Sequence, residues 1–328
     1  MRPASLAFVP VRRRPARHLL ALLSGVLAAA CGKDASAPVP PTSTGYVVGQ
    51  TVTDPQGWIE YTPGDAPLVI IAPHGGSLAP DQLPDRTCSG CVTVNDANTQ
   101  DLARLIVTAF RQRTGAFPHL IVNRLSRRKF DGNRDLAEAT GGTAALDLPW
   151  AWMHAAIDSA DVAITRRTGR GLVIDLHGHA HDIARLELGY LLSATELRQG
   201  DAALASGNAM ARTSVARLAT DSRSAGDRSI ALLRGQNSLG ALLFAAGYPV
   251  VPSPMDVAPL LGQEYFNGGY NTARHGSLSG GSMDAIQIEC HFERLRDTPA
   301  SRAAFATALA GAVAVYLERH YGWTGPAR

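Results

Sequence analysis

Three histidines spaced two apart, His177, His179 and His181, follow an apolar run that ends in Asp175, in the segment DLHGHAH. His74 follows the apolar run VIIAP and precedes two glycines, and Glu289 closes another apolar run, AIQIE. A hydrolytic zinc centre needs neutral imidazoles, usually one carboxylate, and one position left for water. The metal lowers the pKa of that water, and a nearby glutamate can take its proton and pass it to a leaving amine. On this reading His74 and His177 are imidazole ligands of one Zn2+ per chain and Glu289 is the catalytic base. Each residue alone has a plainer reading, a side chain hydrogen-bonded to a loop at a strand end. The chemistry rests on several ionisable residues standing at the ends of separate apolar runs.

The histidine triplet separates by strand geometry. On a strand, Asp175, His177, His179 and His181 share one face, because side chains alternate with a period of two. One zinc does not readily take neighbours so regularly spaced from a single strand, and Gly178 reads as the point where the strand ends. His177 is then the ligand. His179 and His181 are expected to support it from behind, to face substrate, or only to bond the loop, and Asp175 to orient a neighbour.

The elements that must position these residues alternate. GYVVGQTV and WIEYT around DPQG read as a hairpin, and APLVIIAPHGG as a buried strand. The segment NDANTQDLARLIVTAFRQRTG sets Leu102, Leu105, Ile106, Ala109 and Phe110 on one helical face and closes at Gly115. PHLIVNRL, GLVIDLHG, ELGYLLS, YPVVPS and DAIQIECHF read as strands; PWAWMHAAIDSADVAITRRTG, SLGALLFAAG and ASRAAFATALAGAVAVYLERHYG read as helices. This order predicts an α/β fold, a mixed and mainly parallel sheet with helices on both faces. In such sheets the ligand crevice lies beyond the carboxyl ends of the strands, where His74, His177 and Glu289 fall and where NRLSRRKFDGNRD could add arginines. In YFNGGYNTARHGS the glycines permit a tight loop, so Tyr270, Arg274 and His275 either close over substrate or belong to a packed surface loop. No apolar run long enough to span a membrane is expected beyond the N-terminal segment.

Residues 1–30 read separately. The first 17 carry five arginines and no acid, and HLLALLSGVLAAAC then gives a short apolar run closing on small residues and Cys31. This is the pattern of a signal peptide, and LAAAC resembles a lipoprotein signal in which Cys31 is lipidated; ordinary signal-peptidase cleavage is the alternative. Residues 31–44, rich in Pro, Ser and Thr, read as a flexible tether, and 45–328 as a single catalytic domain. The chain has 31 Lys and Arg against 28 Asp and Glu; without the five leading arginines 26 face 28, a formal charge near −2. The apparent basicity is therefore a targeting feature, and no nucleic-acid partner is expected. The expected location is exported, tethered to a bacterial membrane and facing the periplasm or outside. In that compartment Cys88 and Cys91 read as a small disulfide loop or free thiols, because no second CxxC completes a zinc site.

PHGG, an aspartate opening the first helix, SRRKFDGNRD, DLHGH and a late IQIE occur here in the order found in N-formylglutamate amidohydrolase-like proteins, which the chain resembles from about Leu68 to His291. The resemblance implies a zinc-carboxypeptidase-like, or phosphorylase/hydrolase-like, architecture. It implies His74 and His177 as zinc ligands, Glu289 as the catalytic glutamate, and Asn133 and Arg134 as the pair that grips a substrate carboxylate, with Arg127 nearby. A guanidinium suits that task because its planar fork holds a carboxylate with two hydrogen bonds. A tyrosine on a comparable carboxypeptidase loop points to Tyr270. Carboxypeptidases place a glutamate three residues after the first histidine and poly-gamma-glutamate hydrolases five after it, where this chain has Ser77 and Ala79. Asp96, matching the aspartate of the formylglutamate branch, is the expected third ligand, with Asp85 the alternative.

Two function classes follow. The first is an exported zinc amidohydrolase that cleaves an amide bond next to a carboxylate in an N-formyl or N-acyl amino acid or a peptide, or a related carboxypeptidase, cell-wall or gamma-glutamyl hydrolase. The second is a binding lipoprotein with the same fold and no chemistry.

Overall fold

The computed structural model describes residues 46–326, Ser89 excepted. The expected signal peptide, the tether and Cys31 lie outside the described residues, as does Gly45.

Eight strands form one sheet: β1 (Val52–Thr53), β2 (Ile59–Thr62), β3 (Leu68–Ala72), β4 (His119–Asn123), β5 (Gly171–His179), β6 (Leu186–Gly189), β7 (Val250–Val251) and β8 (Met283–His291), in the order β1-β2-β4-β3-β5-β8-β6-β7. The central four, β4, β3, β5 and β8, are mutually parallel. β2 meets β4 antiparallel on one side and β6 meets β8 antiparallel on the other. The expected hairpin is β1-β2; its turn is held by Asp54, whose Oδ1 accepts from the N–H groups of Trp58 and Ile59 at 2.6 and 2.8 Å.

The central strands read as unbroken apolar runs because both faces are covered, and the pleat sorts their side chains alternately. Leu68, Ile70 and Ala72 of β3 and Leu172, Ile174 and Leu176 of β5 enter one core with the helices Thr99–Thr114 and Pro299–Tyr316. Val69, Ile71 and Val173 enter the opposite core, under the helix Asp147–Thr168. Asp175, His177 and His179 continue the second parity, and so do Gln287, Glu289 and His291 of β8. The polar residues of two adjacent strands therefore leave the sheet on the same face.

Two expectations change. β5 does not end at Gly178: it pairs with β8 through His179, and the glycine is required because a Cβ there would lie 2.3 Å from the guanidinium carbon of Arg296. That guanidinium donates to the carbonyls of Cys290 and His179 at 3.0 and 3.1 Å and so ties the ends of the two strands. Secondly, Pro299–Tyr321 is long and apolar enough to cross a membrane. Here it is a core helix, with Phe305, Leu309, Val313 and Tyr316 buried in the same core as Leu102, Ile106 and Phe110 of the first helix. Between β6 and the helix Leu239–Ala245 the chain forms a series of short helices, the first capped reciprocally by Ser193 and Glu196, that periodicity alone does not reveal.

Candidate metal centre

His74 follows β3 by two residues and is buried; Asp96 stands just before the helix Thr99–Thr114. The two segments are tied by backbone, since the Asp96 N–H donates to the His74 carbonyl at 3.0 Å and the Thr99 hydroxyl donates to the Asp96 carbonyl at 2.8 Å. β5 delivers His177 between them. His74 Nδ1 and His177 Nδ1 stand 3.1 Å apart, and Asp96 Oδ2 lies 3.3 Å from the first and 3.2 Å from the second.

The far side of each ring is held by a carboxylate. His74 Nε2 donates to Asp131 Oδ1 at 2.5 Å, and His177 Nε2 lies 3.0 Å from Asp175 Oδ2. A carboxylate only accepts, so a proton on each Nε2 leaves both Nδ1 lone pairs directed toward Asp96. Three acceptors at these distances repel one another unless a cation or a shared proton lies among them. A tetrahedral cation with bonds of about 2.0–2.1 Å sets its ligand atoms about 3.3–3.4 Å apart, so the donor set fits zinc in kind and in spacing. Without a cation, a proton serves. Burial opposes a charged His177, but Asp175, Asp96 and Glu289 outweigh it and hold its pKa well above the usual histidine range. Burial likewise pushes Asp96 up, but His74 and His177 outweigh it and hold its carboxyl well below the usual range.

Glu289 is set beside His177 by the parallel register of β5 and β8 and accepts from Gln287 Nε2 at 3.0 Å. Burial pushes its carboxyl up to about 8; His177 opposes this, while Asp96, Glu187 and Asp175 add to it. Glu289, the three convergent donors and Arg134 line one cavity of about 140 Å³.

The structure redistributes the other expected residues. Arg134 lies at the mouth of that cavity, partly exposed, with one bond to the Asn133 carbonyl at 2.9 Å and a loose pair with Glu138 at 3.6 Å. Asn133 lines the cavity, but its amide is committed: Oδ1 accepts from the Asn271 N–H at 2.7 Å and Nδ2 lies 3.1 Å from His177 Nε2. Its place is therefore behind the imidazole, where Nδ2 donates when Nε2 lacks a proton and Asp175 accepts when Nε2 has one. Arg127 is buried and donates to Asp96 Oδ1 at 3.3 Å and to Asp131 Oδ2 at 3.1 Å, so it neutralises carboxylates of the centre. Tyr270 is not among the residues that line the cavity. Its ring lies 5.6 Å from His154 and 6.4 Å from Trp150, its hydroxyl is 3.4 Å from Arg274, and His275 bonds His154 at 2.9 Å. The Gly268–Gly269 backbone lines the cavity instead, and Gly269 is required because a Cβ would meet Asn133 Nδ2 at 2.3 Å.

Asp85 lies on the exposed surface 2.8 Å from Lys129, away from the convergent donors. His179 donates Nε2 to the Arg185 carbonyl at 2.8 Å, and burial lowers its pKa to about 4. His181 pairs through Nδ1 with buried Glu187 at 3.0 Å. These contacts tie the end of β5 and the residues after it to Arg185 and to Glu187 of β6. Cys88 and Cys91 are disulfide-bonded, with Cα atoms 5.3 Å apart, and Cys290 is a free, buried thiol.

Three further residues, Asp131, Asn271 and Arg86, support the centre. Asp131 was visible within RKFDGNRD, but nothing in its spacing ties it to His74. Asn271 donates to the Gly132 carbonyl at 3.0 Å and to Asp175 Oδ1 at 3.2 Å, and Arg86 donates to the carbonyls of Arg127, Glu138 and Val92 at 3.0, 3.1 and 2.7 Å. Both act through contacts distant in sequence.

No family model matches the chain, and no curated relative matches it. Among solved structures, it is similar to N-formylglutamate amidohydrolase from Ralstonia eutropha JMP134, with 14% identity over 77% of this chain and 94% of that one and a TM-score of 0.48. A gene product from Agrobacterium tumefaciens gives 15% identity over 79% and 94% of the two chains and a TM-score of 0.46. An N-acetylmuramyl-L-alanine amidase from Mycobacterium smegmatis gives 12% over 76% and 96% and a TM-score of 0.34. Likeness at this level leaves the chemistry to be read from the site itself.

Proposed function

We propose that the chain is a zinc-dependent hydrolase that cleaves an amide bond adjoining a carboxylate, in an N-acyl amino acid or a peptide. The observation that carries this reading is the convergence of His74 Nδ1, His177 Nδ1 and Asp96 Oδ2 within 3.1–3.3 Å of one another, beside a buried glutamate. These three would hold the cation, and two imidazoles with one carboxylate are a donor set suited to zinc. A divalent cation held there would polarise the scissile carbonyl and add positive charge that favours the ionised form of Glu289.

The chain's own residues do the rest. Asp131 and Asp175 fix the rings so that Nδ1 faces inward, and Arg127 balances the charge of Asp96 and Asp131. Glu289 takes a proton from the attacking water as the new carbon–oxygen bond forms, then delivers it to the amine nitrogen as the carbon–nitrogen bond breaks. A carboxyl whose pKa lies near the working pH can do both. Arg134 at the cavity mouth receives the substrate carboxylate, which fixes the amide over the centre. The proposal extends to an exported domain, either held by lipid at Cys31 or released by ordinary signal-peptidase cleavage, and for this it rests on the character of residues 1–30 alone.

Glu289→Gln tests the assignment. It should keep wild-type zinc stoichiometry while turnover of N-acyl amino acids falls by about 10²-fold or more. Retained turnover would remove Glu289 from the chemistry.

A further inference from the structure

The cavity at the centre continues on the side away from Arg134. A second, wider space of about 420 Å³ shares Val92, Asp96, Arg127, Gly178 and Phe266 with the first. Arg134 lines only the first space, and Val94 and Phe292 only the second. The cleft thus has unlike ends: the Arg134 side chain at one, and at the other a group of large apolar side chains set among polar ones such as Glu264 and Arg296, with the convergent donors between them.

Those apolar side chains are exposed and anchored. Val92, Val94, Phe266 and Phe292 are 49%, 75%, 45% and 39% exposed, and large apolar residues gathered around one groove mark a binding surface. Arg86 holds the Val92 carbonyl at 2.7 Å, next to the disulfide that closes the loop. The Phe266 N–H donates to buried Glu187 at 2.8 Å while its ring stacks on His181 at 4.6 Å, and Phe292 lies under the Arg296 guanidinium at 5.4 Å. These contacts fix the walls in place, as in a preformed ligand site.

We propose that this groove receives the acyl side of the substrate, so that the preferred substrates are amino acids N-acylated by an apolar group of several carbons; the proposal rests on the amidohydrolase reading above. An amide seated over the centre with its carboxylate on Arg134 directs its acyl carbon toward Asp96 and Phe266, and from there into the groove. A formyl group leaves the groove without a contact. A hexanoyl or octanoyl chain lies against Val92, Val94 and Phe266.

The test uses the zinc-loaded full chain and two readouts. The first is kcat/KM for N-formyl-, N-acetyl-, N-butanoyl-, N-hexanoyl- and N-octanoyl-alanine. The second is calorimetric binding of butanoate, hexanoate and octanoate. Both should rise by about fourfold per methylene until the groove is filled. The chain-length dependence should flatten in Phe266→Ser and Val94→Asp and persist in Phe266→Leu. These side chains are exposed, so the variants should melt like wild type. Binding that strengthens with chain length while no acyl-alanine is hydrolysed would uphold the groove and sink the amidohydrolase reading. Hydrolysis of the N-formyl substrate with no gain from longer chains would overturn the groove and leave the hydrolase reading standing. Alkanoate binding independent of length would also overturn the groove.

Discussion

Replacing Asp131 with Asn probes the least visible part of the centre. Its carboxylate accepts from His74 Nε2 at 2.5 Å, from Arg127 Nε at 3.1 Å and from the Asn133 N–H at 3.0 Å, with Arg86 Nη2 at 3.5 Å. Burial pushes this carboxyl up, but His74, Arg127 and the Asn133 N–H outweigh it and hold it well below the usual carboxylate range. The amide keeps the shape and loses the charge. An oxygen can still face His74, but the ring loses the anion that fixes its tautomer and raises its basicity, and removing such a partner typically costs 10–100-fold in metal affinity. That is about 1.4–2.7 kcal/mol. The amide also leaves two buried guanidiniums, Arg86 and Arg127, short of one counter-charge, and removing one partner of a buried pair costs about 3–5 kcal/mol of stability. Zinc affinity would be measured by competition with a chromophoric chelator at fixed neutral pH, and stability by thermal melting followed in the far ultraviolet. Asp85→Asn, at the exposed pair with Lys129, is the control and should change neither quantity measurably. A folded Asp131→Asn protein with zinc affinity within about twofold of wild type would show that the Asp131 bond does not set the ligand.

Arg134→Ala should weaken recognition of carboxylate substrates by about 1.5–3 kcal/mol, seen as a raised KM, while the melting temperature stays near wild type because the side chain is partly exposed. An unchanged KM would remove Arg134 from the site. Glu289 has a folded pKa of about 8 against an ordinary value of 4.5, so its stabilising contribution is full below about pH 4.5 and is lost as pH rises through about 8. With chelator present, wild type should therefore lose stability relative to Glu289→Gln between about pH 4.5 and pH 8; a pH-independent gap would place the carboxyl in a wetter setting. Gly269→Ala would drive a Cβ into the Asn133 amide, so kcat should fall with the zinc stoichiometry unchanged, and full activity would mean that the 267–271 backbone yields at no cost.

The parallel sheet was legible because its central strands are buried on both faces and stand out as apolar runs between helices of period 3.6. His74, Asp96 and His177 could be named from strand ends and motif order, and the fold brings them together. What the sequence could not show is which polar groups already satisfy one another. The resemblance implies Asn133 and Arg127 near substrate, and both line the cavity, but it does not show that the amide also bonds Asn271 and His177 or that the guanidinium also bonds two carboxylates. Asp131 and Asn271 were obscure for the complementary reason, since their partners lie 57 and 96 residues away in sequence. Gly178 reads as a strand end because its cause, the Arg296 guanidinium beside it, comes from a later segment. A glycine-rich loop does not disclose which way its side chains turn, and the aromatic contacts of Tyr270 with Trp150 and His154 are likewise invisible in the letters.

The most direct test of the proposed centre is the metal content of the purified chain, wild type beside His177→Ala, by elemental analysis after zinc loading and exhaustive dialysis. About one zinc per wild-type chain, lost in the variant, is the expected result. Wild type that holds no metal, or a variant that retains it, would contradict the assignment of His74, Asp96 and His177 as a metal centre.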